Sequence, residues 1–344
     1  MAMKAVRFHR HGGPEVLQFE EAPDPAPNSD EALVKVKACA LNHLDLWARN
    51  GLPNVTISMP HISGCDISGV IEWVPSEEKR FEKGDEVIVN PGLGCGRCDR
   101  CLSGRDNQCR DYTIIGYGTD GGYAELVKVR RTHLIEKPEG MGFVEAASFP
   151  LVFETAYHML VTKAKAGPGD TVLVLGASSG VGSAAVQVAK VLGSRVIATA
   201  GDSEKMEKAL KLGADFVVDH YKQDVLAEVR RLTEKRGVDV VIEHVGKATW
   251  DGSVKALAKG GRLVTCGATT GSEATTDLRY VYNRELTIYG SFMAGMGELF
   301  EVIKLFEQGK LRTVVDSKYP LQRAAEAQKL MERSGHFGKI VLTV

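Results

Sequence analysis

The stretch Thr171–Gly182, TVLVLGASSGVG, decides the fold of this chain. It begins with the apolar run Thr171–Leu175, continues through a glycine-rich turn, and leads into the helical pattern Val181–Leu192. Glycine lets the backbone approach a bound group closely, and the N-terminus of a helix offers free N–H groups and a positive dipole end. The stretch therefore predicts a strand and a helix joined by a turn suited to an anion.

Strand and helix patterns alternate around this turn. Continuous apolar strands separated by helices are typical of a parallel sheet covered on both faces, the doubly wound α/β or Rossmann fold. Alone the turn could be a tight strand–helix connection, but at the head of such a series it predicts dinucleotide binding. The predicted strands are Thr171–Leu175, Arg195–Thr199, Phe216–Asp219, Val238–Glu243 and Arg262–Cys266, and the predicted helices are Val181–Leu192, Ser203–Leu212, Val225–Lys235 and Trp250–Ala258.

The turn has the spacing G-x-x-x-G-x-G instead of the more common G-x-G-x-x-G. Short-chain dehydrogenases share this spacing and act through Tyr-x-x-x-Lys, but no tyrosine of this chain has a lysine four residues later. The acidic residue that would bind the ribose of NAD is expected where Ala200 stands, and Asp202 lies two residues further on. Lys205 is suited to a 2′-phosphate. The sequence thus leaves NAD and NADP as alternatives.

Four cysteines lie close together in the stretch Gly94–Cys109, GCGRCDRCLSGRDNQC. Four thiolates at this spacing predict a closed tetrahedral site for one structural zinc ion per chain, with no vacancy for water or substrate. Two disulfides are the alternative, but the other three cysteines are scattered, as in a protein of a reducing compartment. The predicted zinc ligands, in a lobe of about residues 91–112, are Cys95, Cys98, Cys101 and Cys109.

Composition and charge restrict the function. The chain has 344 residues, enough for two domains, and its formal net charge of −1 gives no global field to attract nucleic acid. No apolar run approaches the roughly 20 residues that span a bilayer, and the first residues lack a secretory signal. We expect a cytoplasmic protein that acts on a small molecule, with neither nucleic-acid nor membrane partners.

Short strand patterns broken by Gly, Pro and Asp fill the chain up to about residue 150. The tail has two helical patterns, Leu299–Gln308 and Leu321–Arg333, and a final strand, Lys339–Val344, which is expected to return to the first domain. We predict a mostly β domain of residues 1–150 plus 291–344, into which the doubly wound domain of residues 151–290 is inserted.

Several motifs resemble those of the medium-chain dehydrogenase/reductase superfamily, which includes alcohol dehydrogenases and quinone oxidoreductases. They are Gly84–Val87 (GDEV), Gly121–Glu125 (GGYAE), Leu212–Asp215 (LGAD) and Phe337–Ile340 (FGKI). The four-cysteine lobe resembles the structural zinc site of the alcohol dehydrogenase branch, whereas Leu41–Asp45 (LNHLD) is more similar to the quinone oxidoreductase branch. The resemblance spans essentially the whole chain. It implies a GroES-like catalytic domain around the Rossmann domain, and a homodimer or homotetramer formed through an edge strand.

In the zinc-dependent branch a second, catalytic zinc polarises the substrate oxygen. The motifs that carry its ligands in that branch match Asn42, Cys65 and Leu151 in this chain. Asparagine is a poor zinc ligand and leucine is none, and the proton-relay hydroxyl of the family is replaced by Leu44. We therefore expect zinc to be structural only. The alternative is a rearranged catalytic site drawn from Cys65, Asp66, Asp45, Glu154 and His43.

The resemblance also assigns roles to residues. Asn42, Asp45 and Cys65 fall at the catalytic centre, where the amide of Asn42 is placed to donate to the substrate oxygen, unless it is a structural amide. Asp45 is expected to orient its neighbours or to cap a helix. Residues implied in cofactor binding are His43, Thr155, Ser178, Ser179, Gly180, Val181, Gly182, Lys205, Cys266, Gly267, Ala268 and Lys339; of these, His43 and Lys339 match positions near the cofactor phosphates.

Together these features predict an NAD(P)-dependent oxidoreductase that transfers hydride between nicotinamide and an alcohol, aldehyde or activated enone. An alcohol dehydrogenase with a rearranged catalytic zinc is the first alternative. A cofactor-binding protein without efficient turnover is the second, because a fold alone does not establish activity.

Overall fold

The structure is a computed structural model that describes residues 2–52 and 55–344. The chain divides into two compact units, of which the first contains Met1–Leu151, Gly295–Glu307 and Arg312–Val344. The second contains Val152–Ala294 and Gln308–Leu311. The sequence placed the boundaries after residues 150 and 290, and it did not anticipate that Gln308–Leu311 belongs to the second unit. None of the described helices has both the length and the apolar character needed to cross a membrane.

Strands dominate the first part of unit one. β3 alternates buried and exposed side chains along much of its length, as expected of a sheet with one face in the core. Three short 3₁₀ turns also occur, at Pro14–Val16, Asp106–Gln108 and Arg131–His133. The elements are β1 (Ala2–Arg7), β2 (Gln18–Pro23), β3 (Glu31–Ala40), α1 (His43–Asn50), β4 (Asp66–Trp73), β5 (Glu86–Val89), β6 (Gly92–Leu93), α2 (Asp99–Leu102), β7 (Thr113–Ile114), β8 (Leu126–Arg130), β9 (Leu134–Glu136) and α3 (Phe143–Ala147).

Helices and strands alternate in the chain that follows. The helical segment α4 (Pro150–Tyr157) leads into a π-helical segment, His158–Lys163. The remaining elements are β10 (Thr171–Val174), α5 (Gly180–Val191), β11 (Arg195–Ala200), α6 (Ser203–Lys211), β12 (Phe216–Asp219), α7 (Val225–Leu232), β13 (Val238–Glu243), α8 (Trp250–Ala256), β14 (Leu257–Thr265), α9 (Leu278–Asn283) and β15 (Thr287–Gly290).

The strands of unit two form one parallel sheet in the order β12-β11-β10-β13-β14-β15. This is the doubly wound order, and the predicted fold class is confirmed. The central strand β10 is buried throughout because helices cover both faces. The order reverses between β10 and β13, so the carboxyl ends of these strands border the crevice in which such sheets bind ligands.

Two local predictions were wrong. The edge strand β15 was missed, because its four residues are mostly exposed and lack an apolar run. Strand β14 begins at Leu257, within the segment predicted as the end of a helix. Its first residues, Leu257 and Ala258, are apolar. A short apolar run fits a buried strand as well as the buried face of a helix, so the sequence does not distinguish a strand from a helix here.

The tail returns to unit one, as predicted. It consists of α10 (Met296–Glu307), β16 (Val315–Pro320), a 3₁₀ turn (Leu321–Arg323), α11 (Ala324–Glu332) and β17 (Lys339–Thr343). The sheet of this unit has the order β16-β17-β3-β4-β5-β9, and β8 also pairs with β3.

Pairing within this sheet positions the candidate site. Val341 of β17 lies opposite Ala40 at the end of β3, and Ala40 lies opposite Asp66 at the start of β4. The backbone N–H of Leu41 also donates to the carbonyl of Ile340, 2.9 Å away. Residues 41–42, 65–66 and 339 are therefore neighbours, although they are separated by up to about 300 positions in the sequence.

Candidate functional site

The four predicted zinc ligands converge. The sulfur atoms of Cys95, Cys98, Cys101 and Cys109 all lie within 4.8 Å of one another. The Sγ atoms of Cys98 and Cys101 are 3.6 Å apart, and those of Cys95 and Cys101 are 3.9 Å apart. Within residues 2–52 and 55–344 this is the only group of three or more His, Cys, Asp or Glu side chains whose ligand atoms converge in this way.

The local backbone favours a thiolate at Cys95, one member of this cluster. Gly96 has a φ of +75°, which lets the chain turn sharply after Cys95. The turn directs the backbone N–H groups of Arg97 and Cys98 at the sulfur of Cys95 and lowers the pKa of this thiol to about 6. Four soft donors with one thiol already inclined to ionise fit a zinc ion, since the thiolate is the form that binds metal.

A second cluster, which we call the buried polar cluster, is formed by Asn42, Cys65, Asp66 and Lys339, with the backbone of Leu151. Asn42 Nδ2 lies 2.8 Å from Asp66 Oδ2 and 3.3 Å from Cys65 Sγ. The backbone N–H of Leu151 donates to Asp66 Oδ1 at 2.9 Å. The three positions that match catalytic zinc ligands in the family motifs, Asn42, Cys65 and Leu151, are thus brought together. Only Cys65 carries a side chain that zinc favours.

Lys339 completes this cluster with an ion pair. Its Nζ donates to Leu41 O at 2.6 Å, to Asn42 Oδ1 at 2.7 Å and to Asp66 Oδ2 at 3.0 Å. Because lysine only donates and a carboxylate only accepts, the amide of Asn42 must point its oxygen at Lys339 and its nitrogen at Asp66. The orientation of the amide is therefore determined by its neighbours.

The predicted role of Lys339 as a phosphate contact is wrong for this structure. The residue is only 3% exposed, and its three N–H bonds are matched by three protein acceptors. The motif around Lys339 did not reveal that the sheet places the carboxylate of Asp66, at the start of β4, beside it.

Asp45 is also buried and heavily hydrogen-bonded. Its carboxylate accepts from the backbone N–H of Asn42 at 2.8 Å, from that of Gly64 at 3.1 Å, and from the hydroxyl of Tyr123 at 3.1 Å. Burial raises its pKa to about 6, against these bonds, which lower it. The Asp45 carboxylate caps the start of α1 through the N–H of Asn42 and also binds the N–H of Gly64. It therefore fixes the start of α1 relative to the segment around Gly64.

Burial also determines the state of the Cys65 thiol. Desolvation, reinforced by the charges of Asp66 and Asp45, raises the pKa of Cys65 well above its usual value. The side chain is fully buried and its sulfur lies within reach of the Asn42 amide. Burial therefore favours the thiol form of Cys65 over the thiolate, and the sulfur of a thiol is a weak hydrogen-bond acceptor.

In unit two the glycine turn has the form expected of a phosphate site. Gly176 adopts a φ of +56°, and Ser179 caps α5 by accepting from the backbone N–H of Gly182 at 2.8 Å. A Cβ on Gly182 would overlap the carbonyl oxygen of Gly176, so the turn requires glycine there. Ser178, Gly180 and Val181 line the same turn and are partly exposed at the helix N-terminus.

His244 is a residue of this turn that the sequence did not identify. Its Nε2 lies 2.8 Å from Leu175 O and 3.4 Å from Ser179 Oγ. The carbonyl can only accept, so Nε2 carries a hydrogen. His244 follows β13 and reaches the turn only because β13 is the parallel neighbour of β10, a pairing that local sequence does not show.

The carboxyl end of β11 holds the candidate ribose residues. Asp202 caps α6 by accepting from the backbone N–H of Lys205 at 2.8 Å, and the Lys205 ammonium lies 3.6 Å from the same carboxylate. Gly201 packs against His220 and Tyr221, which follow β12 and were not anticipated. Asp202 and Lys205, the two residues that the sequence suggested for ribose recognition, thus form one ion pair.

The other predicted cofactor residues belong to both units: Thr155 and the loop Cys266–Ala268 lie in unit two, and His43 lies in unit one. At the end of β14, the backbone N–H of Cys266 donates to Glu243 O at 3.1 Å, and Gly267 and Ala268 continue the loop. Burial raises the pKa of Cys266 to about 12. Thr155 is buried in α4, and His43 begins α1 with its ring 6.4 Å from that of Trp47.

Comparison with known families agrees with both units. Residues 28–139 match the alcohol dehydrogenase GroES-like domain, and residues 180–308 match the zinc-binding dehydrogenase family. Together the two matches cover more than half of the chain.

Relatives from two branches match over nearly the whole length. The chain is 34% identical to the NAD-dependent alcohol dehydrogenase of Saccharolobus solfataricus over 99% of both chains. It is 30% identical to the quinone oxidoreductase of Homo sapiens over 99% of this chain and 97% of that protein. A crystal structure of an NAD-dependent alcohol dehydrogenase superimposes with a TM-score of 0.96 at 46% identity, covering 99% of this chain and 100% of that one.

Proposed function

The chain belongs to the medium-chain dehydrogenase/reductase superfamily, and from this premise we propose that it is an NAD(P)-dependent oxidoreductase whose zinc is structural only. The oxidoreductase class and the predicted family are confirmed by the relatives on both branches. The proposed reaction moves a hydride between nicotinamide and an alcohol, an aldehyde or an activated enone.

One observation carries the proposal that the reaction uses no catalytic zinc. Asn42, Cys65 and Leu151 come together as the family motifs require, yet they offer an amide, a single thiol and an aliphatic side chain. An open zinc site needs three protein ligands such as His, Cys or carboxylate. Asp66, the carboxylate of this cluster, already accepts from three protein donors. The residues present do not fit a catalytic zinc.

The four-cysteine cluster, in contrast, fits a structural zinc. Cys95, Cys98, Cys101 and Cys109 would hold it and supply all four ligands, which leaves no position for a substrate. The ion would tie together the lobe, which has little apolar core of its own.

The Rossmann unit would hold the cofactor. The turn from Gly176 to Gly182 presents a helix N-terminus to the pyrophosphate, and Lys205 and Asp202 lie at the ribose end. Further proposed contacts are His43, Thr155 and the loop Cys266–Ala268. When bound, nicotinamide supplies or accepts the hydride, so the protein must chiefly orient the reactants and stabilise developing charge.

Asn42 is the proposed donor to the substrate oxygen. The amide nitrogen donates to the Asp66 carboxylate at 2.8 Å, whereas its other contacts, Cys65 Sγ at 3.3 Å and Ala40 O at 3.5 Å, are a weak acceptor and a long hydrogen bond. Its oxygen accepts from Lys339, which polarises the amide and strengthens its remaining donor. Asn42 therefore has one N–H that an oxyanion would take at little cost, held in position by Asp66 and Lys339.

We also propose that the protein assembles as a homodimer or homotetramer through β15, in the cytoplasm. β15 is the last strand of its sheet, and Ile288 on it is exposed. Leu278 and Tyr282 of the preceding helix are exposed as well. An exposed apolar edge strand is a template for pairing with a second copy.

Two measurements on the same preparation test the function. Zinc per chain, determined by elemental analysis of dialysed protein, is expected to be one, while NADH and NADPH are each oxidised in the presence of aldehydes, quinones and enones. Two zinc ions per chain would restore the catalytic-zinc mechanism. Tight cofactor binding without turnover on any substrate class would instead favour a binding protein.

A further inference from the structure

We propose that Lys339 supplies, from within the protein, the positive charge that a metal ion would otherwise provide beside Asn42, Cys65 and Asp66, and thereby closes this site to metals. The inference rests on the proposed function, since it explains why the family's catalytic zinc does not fit here. It makes Lys339 a positioning residue, because its ammonium acts through Asn42 and Asp66.

The hydrogen-bonding capacity of the Lys339 ammonium is saturated within the buried polar cluster. An ammonium has three donors, and Lys339 directs them at Leu41 O, Asn42 Oδ1 and Asp66 Oδ2, at 2.6, 2.7 and 3.0 Å. Two of these acceptors, the amide oxygen and the carboxylate oxygen, are the hard donors that a metal ion would need beside Cys65. Each is already occupied by an N–H of Lys339.

The opposite charges of Lys339 and Asp66 balance each other inside the protein. Asp66 is fully buried and Lys339 is 3% exposed, so neither charge is solvated and each requires the other. A divalent cation entering here would meet the ammonium at close range in a medium of low dielectric constant. Removal of the ammonium would leave the Asp66 carboxylate buried without a counter-charge, and a cation would then be favoured.

Lys339 lies on a strand of the sheet and not on a loop. It begins β17 at a point where this strand runs beside the end of β3, and the cross-strand bond from Leu41 N to Ile340 O holds the two segments together. The ammonium therefore reaches the cluster from a rigid element. The side chain needs no movement to block the site.

The test is metal binding by Lys339→Met. Zinc-loaded protein is incubated with cobalt(II) and freed of unbound metal, and zinc and cobalt are then counted per chain. The wild type is expected to retain one zinc and bind no cobalt. Lys339→Met is expected to bind one cobalt per chain with a sulfur-to-cobalt charge-transfer absorption, and Lys339→Met/Cys65→Ala should lose that absorption.

Arg49→Met is the matched control. Arg49 is another fully buried cation of unit one, bonded to Gly12 O, Asn50 Oδ1, Gln328 and Glu332, and none of these four partners is a cysteine. Its removal takes a buried charge out of the same unit and breaks a half-buried ion pair with Glu332, but it should create no cobalt site. Cobalt uptake by Arg49→Met would show that general loosening, and not the lost ammonium, admits the metal.

The other possible results each support or overturn the inference about Lys339. A folded Lys339→Met that binds no cobalt overturns the inference while the single zinc of the wild type leaves the proposed function standing. Cobalt binding at Cys65 in the wild type overturns both. If Lys339→Met folds only when cobalt is added, judged by circular dichroism, the metal replaces the ammonium as proposed; if it stays unfolded with cobalt present, the metal cannot do so and the inference fails.

Discussion

Two polar clusters of the same unit differ in what they offer a metal ion. The four-cysteine cluster comes from one continuous stretch, is partly exposed, and has four sulfur atoms within 4.8 Å of one another. The buried polar cluster comes from segments far apart in the chain, and its carboxylate already faces the ammonium of Lys339 at 3.0 Å.

The difference shows that donor atoms alone do not make a metal site. Both clusters contain a cysteine with other potential ligands beside it. In the four-cysteine cluster the ligands repel one another once ionised, and only an external cation relieves this. In the buried polar cluster the ammonium of Lys339 already lies beside the one carboxylate, Asp66, so its charge is compensated without a metal ion.

The largest expected effect breaks the first cluster. Cys98→Ser removes one of four thiolates and should reduce bound zinc from one per chain to near zero. Since structural zinc contributes on the order of 10 kcal/mol of binding free energy that is coupled to folding, the lobe should unfold locally and become sensitive to protease. Zinc analysis and limited proteolysis measure the two effects.

Cys39→Ala serves as the control for this substitution. Cys39 is a fully buried thiol of the same unit but lies outside the four-cysteine cluster. It should keep one zinc per chain and an intact lobe. Unchanged zinc content in Cys98→Ser would remove the basis for contrasting the two clusters.

A smaller effect tests the second cluster as a catalytic device. Asn42→Ala removes the N–H proposed to donate to the substrate oxygen, and loss of one such donor typically lowers kcat by about 10² to 10³, or roughly 3–4 kcal/mol. KM should change much less, because the bond strengthens only as charge develops. Steady-state kinetics on folded, zinc-loaded protein measures the split.

Asn90→Ala is the matched variant for Asn42→Ala. Asn90 is another buried asparagine of unit one, whose amide donates to Gly92 O at 3.1 Å. Its loss removes a buried amide hydrogen bond and should lower stability, with kcat retained. Equal kcat values for the two variants would make Asn42 a structural amide and leave the buried polar cluster without a catalytic role.

The smallest expected effect is a pH dependence that arises beside the buried polar cluster. Burial raises the pKa of Asp45 to about 6 from 3.8, so the folded state binds more protons than the unfolded state between these values. This stabilising contribution is complete below about pH 4 and is lost as the pH rises through 6, a change of roughly 3 kcal/mol.

Urea unfolding at several pH values from 4 to 7 measures this contribution as the difference between the wild type and Asp45→Asn. The asparagine does not titrate, so its stability should fall less steeply over this range. Parallel pH profiles for the two proteins would mean that Asp45 has an ordinary pKa. The hydrogen bonds from Asn42, Gly64 and Tyr123 would then offset the effect of burial on that pKa.

Local sequence was most informative where the determining contacts are local. The convergence of the four cysteines was predictable, because four thiols in one short stretch lie close together in most conformations of that stretch. The turn Gly176–Gly182 and the parallel sheet were also predictable, since strands buried on both faces are apolar runs and helices between them have their own period.

Contacts between distant segments were not predictable. His244 reaches the glycine turn, and Lys339 reaches Asp66, only through strand pairings that bring together residues up to about 300 positions apart. The individual roles proposed for Asn42 and the cofactor residues stay predictions for the same reason.

By itself the sequence determined the fold class, the zinc lobe and the family, because periodicity, short spacings and local motifs encode them directly. Only the tertiary structure decided the state of the buried polar cluster. Whether Asp66 meets a metal or an ammonium depends on which side chain β17 places beside β3 and β4, and on how completely that side chain is removed from water. Strand register and burial are properties of the assembled sheet, and no local pattern carries them.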